Sequence, residues 1–137
     1  MMKKKILGGV FLTSVLTVAM SVTVSAAYTG YYSFEIDTRV IGTNKHSLSN
    51  SAVSTTVTGQ SYILGSNGYQ VSSSKDEFSV RIEKNWNTYY TVGNIKADGS
   101  SYTKNFGVIS AGDYHVEVTK TTGNSLKIIG DGSLKQS

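Results

Sequence analysis

Residues 31–40, YYSFEIDTRV, alternate apolar and polar side chains with a period of two. Tyr32, Phe34, Ile36 and Val40 fall on one side, and Tyr31, Ser33, Glu35, Asp37 and Arg39 on the other. A β-strand turns successive side chains to opposite faces, so this is the pattern of an antiparallel strand with one dry and one wet side. The same alternation recurs along the chain. Val53, Thr55 and Val57 share a face of Ala52–Gln60, and a further short strand is expected over Tyr62–Leu64. Phe78, Val80 and Ile82 alternate with Ser79, Arg81 and Glu83, and Tyr114, Val116 and Val118 with Asp113, His115, Glu117 and Thr119. Tyr89–Ile95, a segment marked by Tyr102, Phe106 and Val108, and Leu126–Leu134 complete the set, while apolar residues at helical spacing are not sustained after residue 26.

Turn chemistry separates these segments. Gly42-Thr43-Asn44-Lys45 breaks the first strand, and His46–Asn50 reads as loop. Ser66-Asn67-Gly68 holds an Asn-Gly pair, a hairpin signal because both residues tolerate positive φ, with the chain returning over Tyr69–Ser73. Ala97-Asp98-Gly99-Ser100 and Ser110-Ala111-Gly112 supply two further turns, and Gly130 and Gly132 suggest a bulge in the last strand. About eight short strands at spacings near 8 to 12 residues predict an all-β fold, a small antiparallel two-sheet β-sandwich of immunoglobulin-like or jelly-roll-like kind. Phe34, Ile36, Phe78, Val80, Ile82, Tyr114, Val116 and Val118 are the expected core.

The stretch Ile109-Ser110-Ala111-Gly112-Asp113-Tyr114 resembles the corner leading into the penultimate strand of immunoglobulin-like and related bacterial sandwiches. The resemblance implies that the Tyr114 hydroxyl bonds back to the preceding corner.

Residues 1–26 read as a secretory signal: Lys3, Lys4 and Lys5, then an apolar run from Ile6 to Val24, then Val24-Ser25-Ala26 with small residues one and three places before the cut. Cleavage is expected after Ala26, with Ala27 as the alternative, leaving one β-sandwich domain over 27–137 that is secreted by a bacterium. Removing the three signal lysines from 13 basic residues leaves 10 against 9 acidic ones. The mature charge of about +1, with both signs interleaved, disfavours nucleic acid. No further apolar run is long enough to span a bilayer, so no stable membrane insertion is expected. The sequence holds no cysteine and no proline, so neither disulfides nor thiolate metal sites are available and the sheet core must carry stability.

Sequence motifs for catalysis are missing: there is no G-x-S-x-G, H-E-x-x-H, G-x-x-x-x-G-K or D-x-D-x-D-G. A non-enzymatic protein without cofactors is expected. Asp113, His115 and Glu117 share one strand face at intervals of about 6.5 to 7 Å, which offers a metal reading only if a second strand adds a ligand, and otherwise a solvated face. Trp86 sits in a turn with Tyr89 and Tyr90 following, so it is either a platform for stacking on sugars and other planar groups or a plug over the sandwich edge. Tyr89 and Tyr90 must face opposite ways, and Tyr31 extends the candidate surface. Lys75, Arg81, Lys84, Lys96 and Lys104 read as solubilising charges that protect strand edges. The leading expectation is a small binding module for cell-wall glycan or another extracellular ligand. The alternatives are a structural, self-assembling matrix protein, with homo-oligomers formed by strand addition, and an antimicrobial or toxin-like protein.

The mass of the chain recovered from culture supernatant is expected to start at Ala27 or Tyr28. Recovery only of an intracellular chain starting at Met1 would overturn the export reading.

Overall fold

The structure, a computed structural model, describes residues 27–137. The signal segment and its cleavage site lie outside the described residues, except for Ala27. Ten strands follow in order: β1 (Tyr28–Ile36), β2 (Arg39–Ile41), β3 (His46–Leu48), β4 (Ala52–Gly65), β5 (Gly68–Val71), β6 (Glu77–Asn85), β7 (Thr88–Lys96), β8 (Asp98–Val108), β9 (Gly112–Lys120) and β10 (Lys127–Gln136). They form two antiparallel sheets facing each other across one core, the expected sandwich with two more strands than the alternation suggested. In the first sheet β10 lies between β1 and β4, and β8 and β5 pair end to end with the far side of β4. In the second sheet β6 lies between β7 and β9, and β2 and β3 share the far side of β9.

All eight expected core residues are buried, with Leu48, Val53, Val57, Ile95, Ala97, Ile109, Ile128 and Leu134 packed among them. The two sheets meet where Phe34 of β1 packs on Phe78 of β6, ring centroids 5.4 Å apart. Both rings rest on glycine. Gly130 pairs with Phe34 across the β1–β10 ladder and with Gly59 across the β10–β4 ladder. A Cβ on Gly130 would run into the Thr58 carbonyl and the Phe34 ring, and one on Gly59 would come within 2.9 Å of the Phe78 ring. The β10 ladders run through Gly130 and Gly132 without a register shift, so the bulge expected there is absent and the glycines serve close approach instead. Tyr32 covers Gly132 in the same way and bonds Thr55 Oγ1 at 2.7 Å. Burial pushes its phenol up to about 12, so it remains protonated and satisfies that buried threonine.

Other departures from the expected strands have local causes. The first alternation breaks at Asp37 and Thr38, where the chain leaves one sheet for the other: Ile36 pairs with Ile128, and Arg39 with Thr119. His46–Leu48 is not loop but β3, with His46 and Leu48 buried against the end of the core. The strands expected over Ala52–Gln60 and Tyr62–Leu64 are one, β4, because Gly59 and Gln60 stay in register with β10. The β4–β5 hairpin turns at Ser66-Asn67, with positive φ at Gly68 (100°) and not at Asn67. Ala97-Asp98-Gly99-Ser100 is no hairpin turn. Ala97 is buried where the chain crosses from β7 in one sheet to β8 in the other.

That crossing is fastened by a polar cluster. The Ser61 backbone N–H and hydroxyl both donate to the Ala97 carbonyl, at 3.1 and 2.8 Å, and the Ala97 N–H donates to the Asp76 carbonyl at 2.9 Å. The buried Asp76 carboxylate accepts from Thr122 Oγ1 at 2.5 Å and the Asn124 N–H at 3.3 Å. Its Oδ2 pairs with Lys120 Nζ at 3.2 Å, an ionic contact at an angle that makes no hydrogen bond. Burial opposes ionisation of Asp76, but the hydrogen bond from Thr122, the ion pair with Lys120 and the Asn124 N–H outweigh it and hold the carboxyl below its ordinary value of 3.8.

Two outcomes are expected. Phe78→Ala should cost about 3 to 5 kcal/mol in chemical denaturation, because it empties the junction between the sheets; a loss under about 1 kcal/mol would show that the junction does not hold them. A carboxyl depressed by folding contributes stability that is full above its unfolded pKa and lost as pH falls through the folded one. Asp76→Asn should therefore cost about 3 kcal/mol at neutral pH by leaving Lys120 unpaired. The gap to the parent protein should close as the pH is lowered through and below 3.8, and a gap independent of pH would count against the ion pair.

Candidate functional site

The β6–β7 hairpin turns at Trp86 and Asn87, at the end of the sandwich opposite Asp76. The Asn87 N–H donates to Asn85 Oδ1 at 3.1 Å, a side-chain turn that sets the tip. Glu83 pairs with Tyr89 and Asn85 with Thr88, so Lys84 is the extra residue of a bulge. Lys84 Nζ reaches across to the Ala111 carbonyl at 3.0 Å and Ser110 Oγ at 3.2 Å, tying the hairpin to the corner before β9. Trp86 itself is 85% exposed. The ring is no plug: it stands in solvent on an anchored tip.

Tyr89 lies on the outer face of the same hairpin and is 48% exposed. The Arg81 guanidinium sits 4.2 Å from its ring centroid, while also donating to Thr91 Oγ1 at 3.3 Å and pairing with Glu83 at 3.6 Å. A cation over one face of a phenol ring fixes the ring and leaves its other side for a ligand.

Tyr90 points the other way, as strand geometry requires. Its ring packs on Tyr114 with centroids 6.2 Å apart, and its hydroxyl accepts from the Ser110 N–H at 3.1 Å, a bond that lowers its pKa. The Tyr114 hydroxyl donates to the Ser110 carbonyl at 2.7 Å, the back-bond that the resemblance to immunoglobulin-like corners implied, in the penultimate strand. Tyr90 thus belongs to the packing of this corner. Tyr31 is 74% exposed but stands on the outer face of the other sheet, opposite Ser133 of β10. Of the four aromatic candidates, Trp86 and Tyr89 are exposed on one hairpin, whereas Tyr90 packs inward and Tyr31 lies on the other sheet.

The three metal candidates are held apart. Asp113 accepts from Ser47 Oγ at 2.7 Å. His115 Nδ1 lies 3.1 Å from the Gly42 carbonyl, which can only accept, so the proton sits on Nδ1. Glu117 points away from the core yet is buried, because the adjoining β2 lays Arg39 over it at 3.3 Å and pairs Ile41 with it. Among the described residues no group of three or more His, Cys, Asp or Glu side chains is placed to hold a metal ion. His115 and Glu117 instead line a groove of about 80 Å³ with Ile41, Glu83 and Lys84, on the face that carries Tyr89.

Arg81 and Lys84 were readable only as surface charges. The period of two did place Arg81 and Glu83 on one face, but pairing with Tyr89 depends on the hairpin register, which a bulge shifts.

No protein-family model matches the chain, and no curated protein matches it. Among solved structures the chain is similar to a family two carbohydrate esterase from Cellvibrio japonicus, at 11% identity and a TM-score of 0.31. That match covers 82% of this chain and 35% of the esterase, so the chain spans about a third of the esterase's length.

Proposed function

We propose that this protein is an exported, non-catalytic binding module for glycan of the cell envelope or extracellular matrix, with Trp86 and Tyr89 as its stacking surface. The observation that carries this reading is the exposed indole on a hairpin tip fixed by Asn85 and Lys84. An apolar ring of that size held in water gains nothing for the free fold, whereas a sugar face laid on it buries both surfaces. Asn85, Asn87, Arg81 and Glu83 supply donors and acceptors around the two rings for the hydroxyl groups of such a ligand. Binding is favoured over catalysis because both imidazoles are taken up structurally. The buried His46 bonds the Tyr28 hydroxyl through Nδ1 at 2.7 Å, and His115 bonds the Gly42 carbonyl. Export is supported by the order of charge, apolar run and small residues in 1–26.

Trp86→Ala tests the reading. The unfolding free energy should stay within about 0.5 kcal/mol of the parent's, since the ring is solvated. Retention on purified cell wall or insoluble polysaccharide should weaken by about 30-fold, the loss expected for an aromatic hot spot worth about 2 kcal/mol. Tyr90→Ala should do the opposite, lowering stability while sparing the affinity of the folded fraction. Unchanged retention of the Trp86 variant would overturn the assignment.

A further inference from the structure

The first sheet ends in an open edge at β5. Gly65 pairs with Gly68 and Ile63 with Gln70, and the Ser72 N–H donates to the Ser61 carbonyl at 2.9 Å. In an antiparallel ladder the bonded pairs alternate, so residues 61, 63 and 65 turn their backbone groups to 72, 70 and 68. The N–H and C=O groups of Tyr69 and Val71 therefore point away from β4, and among the described residues β5 has no other neighbour in the sheet. All four residues of β5 are exposed, with Tyr69 at 51% and Val71 at 58%.

Sheet edges are ordinarily guarded by charge. Here β1 carries Glu35, β2 Arg39, β7 Lys96, and β8 Asp98 and Lys104. From His46 to Ser74 there is no Asp, Glu, Lys or Arg, so β5 and the strand it pairs with have no such guard. The outer face beside it carries exposed Leu64, paired with Tyr69, and Ile129, with the Lys127 ammonium 5.3 Å from the Tyr69 ring centroid and its charge taken up by Glu35 and Asp37.

We propose that β5 is an interface at which a second copy of this chain adds its own β5, antiparallel, about a two-fold axis through Gln70. The copy is favoured over an unrelated strand by self-complementarity. With Gln70 facing Gln70, Tyr69 stands opposite Val71 of the other copy, and the outward groups of these two residues are the ones that must exchange hydrogen bonds in an antiparallel pair. No like charges meet at the axis, and the Leu64, Tyr69 and Val71 surfaces of the two copies run together on one side of the joined sheet. The pairing closes on itself and stops at two chains. It is independent of what Trp86 binds.

Sedimentation equilibrium of the parent protein and of Gln70→Lys and Gln70→Glu tests this. The parent should show a concentration-dependent dimer and nothing larger. Each variant alone should weaken it by about tenfold or more, since like charges then face each other at the axis. An equimolar mixture of the two should restore the dimer, because lysine then faces glutamate. That restoration also shows both variants folded. A parent protein that stays monomeric, that grows past two chains, or whose dimer ignores both substitutions would overturn the proposal, the first outcome leaving the edge to some other partner.

Discussion

The contact on which the sandwich depends is Phe34 against Phe78, and it exists because two strands beneath it give up their side chains. Gly59 and Gly130 face each other in the β4–β10 ladder, directly under the rings. Sheets in a sandwich stand about 10 Å apart, a gap that two facing phenylalanines overfill unless the sheet floor is lowered. Glycine lowers it at a cost of roughly 0.5 to 1 kcal/mol each in strand stability, which aromatic cover then offsets. Tyr32 over Gly132 repeats the device one pair along. The glycines of β10 are thus part of the core and not points of weakness.

With the middle fixed by apolar packing, each end is closed by polar groups. At one end Asp76, Lys120, Thr122 and Ser61 bind the crossing at Ala97, satisfying backbone that a sheet switch leaves without ladder partners. At the other, Gln136 bonds Ser49 and Ser51, and Tyr114 and Tyr90 hold the Ser110 corner. Because that corner also receives Lys84, the β6–β7 hairpin is braced at its base and can carry an exposed indole without collapsing it onto the core.

Strand existence was legible because burial imposes a period of two on long segments: Phe78, Val80 and Ile82, or Tyr114, Val116 and Val118, admit no other reading. The sheet switch at Asp37 and Thr38 was hidden because Ile36 and Val40 keep the same phase on both sides of it. Three-residue β3 is too short to show any period. Gly130 and Gly132 read as interruptions because a sequence shows a missing side chain but not the ring that fills the space. At the candidate site, alternation separated Tyr89 from Tyr90 without saying which faced water, and the corner at Ser110 decided it. A lone turn residue has no phase at all, so the exposure of Trp86 could be seen only in the folded chain.

The two hairpins that carry unpaired apolar surface lie at opposite ends of the sandwich. In antiparallel β4 and β10, Gly65 lies beyond Ser61 and so at the Asp76 end, while Trp86 lies beyond Asn85 at the Ser110 end. A dimer joined through β5 would bury the first and leave both copies of the second free, facing away from the junction. One stacking ring gives a weak and fast-exchanging hold on a polymer. Two on a rigid span convert the second contact into an intramolecular event, which on a repeating ligand raises the overall hold by about 10² to 10⁴ without a new contact. Under the proposed function, a small fold with one exposed indole would gain retention by this route more readily than by enlarging the site, and the uncharged β5 edge would make the route available.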